Sequence, residues 1–135
     1  MMLTIPLEKL AYIIEKAREF DVEVPPVNEH SGALLADEDM ADILEDTRSN
    51  PSYEELVGAI RTLNDDEIDE LVALTWLGRG DFSRGEWSQA LRAAHQRHNQ
   101  READYLAGTP LLANYLEEAV DQLGYSIEDL DGYRH

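Results

Sequence analysis

Residues 83–123 read SRGEWSQALRAAHQRHNQREADYLAGTPLLANYLEEAVDQL, and the punctuation of this stretch decides the fold. Ser83 and Glu86 have the spacing of a capping box, in which hydroxyl and carboxylate each satisfy an orphan backbone N–H. The box opens the longest expected helix, from about Arg84 to Leu106. Gly108-Thr109-Pro110 then stops and restarts the chain: glycine can take the left-handed position, threonine can cap, and proline suits the first helical residue. Leu112, Leu116, Ala119 and Leu123 fall in line on a last long helix from about Pro110, ended by Gly124. Two long helices across so short a turn predict a C-terminal antiparallel helix hairpin.

Working towards the N-terminus, the period stays helical. Asn64 and Glu67 repeat the box spacing ahead of a stripe of Ile68, Leu71, Val72 and Thr75, extended by Leu74 and Trp76 and closed by Gly78 and Gly80. Ser52 and Glu55 make a further box before Tyr53, Leu56, Val57, Ile60 and Leu63. A shorter helix is read from about Glu38 to Arg48. An amphipathic helix from about Ile5 to Phe20 carries Leu7, Leu10, Ile13, Ile14 and Ala17, with Thr4 as its cap and Pro6 in its first turn. The irregular stretch at about 21–36 holds Pro25-Pro26 and Ser31-Gly32, and Ser126 and Asp129 suggest one further turn. No segment alternates like a strand. The expectation is an all-α fold: five or six helices in a single domain over residues 1–135.

Composition bounds the function. With 29 acids against 11 basic residues, the formal net charge is −18. Such a chain repels phosphate backbones and anionic lipids at long range, which disfavours direct nucleic-acid or membrane-surface binding. About a dozen acids stand where helices begin and favour the helix dipole. There is no cysteine, so thiol catalysis and Cys–metal sites are excluded, and a cytoplasmic location is expected. No apolar run reaches membrane-spanning length.

Few constellations carry chemistry. On one continuous helix His95, His98 and Glu102 would share a face, and two imidazoles with a carboxylate are a legitimate zinc ligand set. The competing expectation is a partly buried histidine hydrogen-bonded to a carboxylate across the hairpin, with His98 level with Glu118. Residues 80–87 resemble the second half of a calcium loop, but the first half offers Thr75, Leu77 and Arg79 where oxygen ligands are required. Arg84, Arg92, Arg97 and Arg101 are the one basic concentration. Arg97 and Arg101 could hold a phosphate or a partner's carboxylate, or pair within the chain as Arg101 with Asp104. Trp76 and Arg79 at the glycine corner complete the candidate interaction residues. P-loop, dinucleotide-binding and nucleophile-elbow motifs are absent.

Several stretches together resemble an uncharacterised bacterial all-helical family, domain of unknown function 3775. They are Leu7 to Phe20, Tyr53-Glu54-Glu55-Leu56, Glu70 to Leu74 with Trp76-Leu77-Gly78-Arg79-Gly80, and Gly108-Thr109-Pro110-Leu111-Leu112 with Tyr115-Leu116-Glu117-Glu118. The resemblance spans nearly the whole chain apart from a variable region at about Val22 to Asp37. It implies a small helical domain and no catalytic residue.

Three functional classes follow. A non-enzymatic interaction module, with a protein partner or as a homodimer, leads, and no cofactor is expected. A metal-dependent enzyme or metal-binding protein would use His95, His98 and Glu102. An acidic decoy of a nucleic-acid-binding protein would need a one-sided acidic stripe.

Overall fold

The computed structural model describes residues 3–23 and 50–125. Within them lie α1 (Leu7–Glu23), α2 (Pro51–Arg61), α3 (Asp65–Arg79), a 3-10 turn (Arg84–Glu86), α4 (Trp87–Arg97), α5 (Glu102–Ala107) and α6 (Leu112–Gln122). The described residues contain no strand, and none of their helices is long and apolar enough to cross a membrane. Most of the expected 21–36 loop, the Glu38–Arg48 helix and the turn at Ser126 and Asp129 fall outside the described residues.

The centre of the all-α bundle is α3. Leu71 to Leu77 are buried without interruption. A helix apolar on every side must be covered on every side, and Thr75 fits because its hydroxyl donates to the Leu71 carbonyl at 2.9 Å. Accordingly α4 and α6 both pack on α3, α1 packs on α2 and α6, and α5 bridges α2 and α3. The hairpin expectation is refined on this point. The chain does turn at Gly108-Thr109-Pro110, but α4 and α6 both seat their stripes on α3 in preference to each other. α4 contributes Trp87, Ala90 and Ala94, and α6 contributes Leu112, Leu116, Ala119 and Val120.

The long helix expected from about Arg84 to Leu106 is broken. α4 stops at Arg97, His98 is extended (φ −51°, ψ 131°), and α5 restarts at Glu102. Residues 87–107 include neither glycine nor proline. Asn99 supplies the local alternative: its side chain accepts from Arg101 N–H at 2.7 Å and donates to the Arg97 carbonyl at 3.2 Å. The bend carries Ala103, Leu106 and Ala107 into the core.

The cap of α2 also differs from expectation. Asn50, not Ser52, caps α2, accepting from Ser52 N–H at 2.7 Å with Pro51 in the first turn. Glu55 is drawn instead to Lys16 at 3.0 Å. The Asn64–Glu67 box is present as read, at 2.8 and 2.9 Å, and Gly80 ends α3 in the left-handed conformation (φ 96°).

At the other restart the left-handed residue is Leu111 (φ 63°), whereas Gly108 is right-handed (φ −84°). The Asp21 carboxylate on α1 faces the backbone N–H groups of Leu111 and Ala113 at the start of α6; burial nonetheless raises its pKa above the usual aspartate value. A left-handed leucine costs about 1–2 kcal/mol relative to an unstrained conformation, and glycine would adopt it freely while keeping the N–H. Leu111→Gly is therefore expected to stabilise the protein by about 0.5–1 kcal/mol after the added chain entropy. Leu111→Val should destabilise it. Urea midpoints check both, and a loss of stability in Leu111→Gly would contradict the account.

Candidate functional site

The sequence candidates converge on the junction of α3, α4 and α5. Asp69 is buried on α3, and each of its oxygens meets a histidine. His98 Nδ1 lies 2.6 Å from Oδ1, and His95 Nδ1 lies 3.1 Å from Oδ2. The histidine–carboxylate pairing read from the sequence thus exists, but the acid comes from α3 rather than from Glu118 on α6. His98 Nε2 also faces Asp65 Oδ1 at 3.5 Å. His95 is largely exposed and His98 half-buried.

Glu102 occupies a different position from either histidine. It is 2% exposed, and neither carboxylate oxygen has a hydrogen-bond partner. Arg97 Nη2 stands 3.5 Å from Oε1, close enough for attraction without a formed hydrogen bond. Burial raises the Glu102 pKa above the usual glutamate value, against the opposing charges of Arg97 and His98.

Three of the four interaction candidates gather around one phenol. Trp76 Nε1 donates to Tyr105 Oη at 3.1 Å, the Arg97 guanidinium lies 4.4 Å from the Tyr105 ring centre, and Arg79, paired with Asp81, stands beside Tyr105. Trp76 is buried and packs at 5.9 Å on Phe82. Arg101 stands apart and exposed, and the expected Arg101–Asp104 pair is replaced. Asp104 accepts from Tyr53 Oη at 3.3 Å and faces Arg61 at 3.8 Å.

Chemically, the cluster is a set of proton-sharing acids and bases. Among the described residues no group of three or more His, Asp or Glu side chains is arranged to hold a metal ion. The break at residues 98–101 removes the continuous helix that would have aligned the proposed ligands. Each histidine commits Nδ1 to Asp69. The depression beside them, lined by Asp66, Asp69, Glu70, Leu91, Arg92 and His95, is shallow and open. Asp69 was missed in the sequence because its acidic neighbours read as a helix-dipole cluster; its signal was position, on the one helix apolar on all sides.

The Asp69 carboxylate raises the His98 pKa above the ordinary imidazole value. A raised pKa means that the folded state holds the proton more tightly. The resulting stabilisation is complete below about pH 6.5 and is lost as pH rises through the raised value. The stability gap between the wild type and His98→Gln, measured by urea unfolding from pH 5.5 to 8.5, is expected to be widest at the acid end. A gap that grows with pH would show that the bond to Asp69 does not favour imidazolium.

The sequence model of a family described as "Protein of unknown function (DUF3775)" matches residues 53–125, from α2 to just beyond α6. The Leu7–Phe20 stretch of α1 lies outside the matched span. No curated protein and no solved structure matches the chain.

Proposed function

Since the chain belongs to the DUF3775 family of proteins of unknown function, we propose a role from its own surface: a non-enzymatic interaction module that presents the outer face of α4 to an acidic segment of a partner protein. One observation carries this reading. In a chain with 29 acids, residues 87–101 contain none. α4 is an edge helix packed on α3, and its solvent face offers Arg92, His95, Gln89 and Gln96, continued by Arg101 and preceded by Arg84.

Arg84, Arg92 and Arg101 are exposed and form no ion pair with any described residue, although acids outnumber bases in the chain more than twofold. Intramolecular neutralisation accounts for Arg18 with Glu117 and Arg79 with Asp81. Among the described residues it does not account for these three. Guanidinium groups suit carboxylates, which they can bind through two parallel hydrogen bonds. A short carboxylate-bearing segment is favoured over nucleic acid because it carries far fewer charges than a phosphate backbone, so the net charge of −18 opposes its approach less.

The test is native mass spectrometry of untagged protein purified at low salt from its own host, comparing the wild type with the double variant Arg92→Glu, Arg101→Glu. The expected result is a retained acidic partner that leaves as salt rises and is missing from the variant. A bare wild-type chain, or a partner held equally by the variant, would overturn the reading. The same spectra report any metal adduct.

A further inference from the structure

We propose that α5 is a proton-controlled latch: it stays docked between α2 and α3 while the acid–histidine cluster at its first turn holds its protons, and it opens locally when they are lost.

The geometry carries the idea. α5 is a six-residue helix entered through a break that contains no glycine or proline. A segment this short has little intrinsic stability and depends on what it packs against. Its apolar anchors are Ala103, Leu106 and Ala107. The fourth residue turned inward is Glu102, whose two carboxylate oxygens are buried without a hydrogen bond. A buried carboxylate without hydrogen bonds is far less costly as the neutral acid than as the anion. The charged groups around it are Arg97 from α4, His98 from the break and Asp69 from α3. On the α2 side, Arg61 is engaged with Asp104 rather than with Glu102.

His98 fixes the other end of the break through Asp69, with Asp65 also adding favourable charge to its imidazolium form. Both groups act in the same direction. Docking places Glu102 where it favours the acid and His98 where it favours the cation, so the docked form binds more protons than an opened form in which both meet water. Docked α5 is thus strongest at acid pH. It weakens from the ordinary carboxyl range upward through Glu102, and from the ordinary imidazole range upward through His98. Opening uncovers the seats of Leu106 and Ala103 and frees Tyr105 from Trp76, which makes this one of the low-stability units that open ahead of the whole fold.

Hydrogen exchange measured by mass spectrometry across pH 4.5–8.5, corrected for intrinsic rates, tests the latch. Protection of residues 102–107 relative to residues 112–122 is expected to fall with pH. Its slope should approach tenfold per pH unit for each proton released. Glu102→Gln should remove the acidic part of the slope and His98→Gln the neutral part. Parallel pH dependence in the two segments would overturn the proposal, as would an undiminished slope in both variants. Carbon NMR of the Glu102 carboxyl in the wild-type protein reads the same point without substitution. Titration above the usual glutamate value supports the latch, and titration at the usual value refutes it.

Discussion

Gly78→Ala is expected to destabilise the protein by about 3 kcal/mol, at the upper end for overpacking, with a fall in Tm of about 10 °C or more. A Cβ at position 78 would stand 1.8 Å from the Tyr115 carbonyl oxygen and 2.5 Å from its carbon. No side-chain rotation relieves a clash with backbone. α3 and α6 would have to separate at their closest crossing, loosening Leu74, Leu77 and Leu116, all fully buried. Gly58 is the internal comparison. It lies on the exposed side of α2 with nothing within 4 Å of an added Cβ. Gly58→Ala should therefore show only the gain in helix propensity, up to about 1 kcal/mol. Guanidinium unfolding of both variants checks the pair. A cost below about 1 kcal/mol for Gly78→Ala would mean that the crossing can shift without loss of packing.

The same glycine shows what the sequence makes legible. Its place near the end of an apolar helix reads as a stop signal, and Gly80 indeed supplies the left-handed end two residues later. That Gly78 instead admits the backbone of another helix depends on which helices cross, and spacing within one helix does not contain that information. Stripes such as Leu56, Val57 and Ile60 or Leu112, Leu116 and Ala119 were legible because burial obeys the local period. The uninterrupted Leu71–Leu77 run held the signal for the central helix, but read as one broad face it left α4 and α6 to be paired with each other. The break at 98–101 was hidden because the period of the stretch is helical on both sides of it, and the determinants are Asn99 locally and Asp69 from a distant helix. Of the candidate site, His95 and His98 were legible as a pair. Their shared acid was not, since an aspartate three residues from Asp66 looks like another dipole charge until α3 is known to be covered on all sides.

Acids working across helices are a second use of the chain's negative charge, and Glu70 is where removing one should cost most after Gly78. Thr4 reads as the cap of the first helix, yet the donors at that end turn to α3. Glu70 accepts Thr4 N–H at 2.9 Å on Oε1 and 2.7 Å on Oε2, and Ile5 N–H at 2.9 Å on Oε1. Ile5 is 2% exposed, so its N–H has no recourse to water once the carboxylate is gone. Hydrogen bonds to an ionised acceptor are worth about twice neutral ones, and a buried donor left unpaired costs about 1–3 kcal/mol. Glu70→Ala is expected to lose about 2–3 kcal/mol on that basis, and Glu70→Gln about half as much because an amide oxygen still accepts without the charge. The loss should be local first. Leu3, whose N–H reaches Tyr125 Oη at 3.1 Å, and Ile5 should leave together, and amides at the start of α1 should exchange faster before those of α3 do. Urea unfolding gives the total, and hydrogen exchange over residues 3–10 against 71–77 gives the order. If Glu70→Ala leaves exchange at the start of α1 unchanged, the segment is held by the burial of Ile5 alone and the carboxylate is not its clamp.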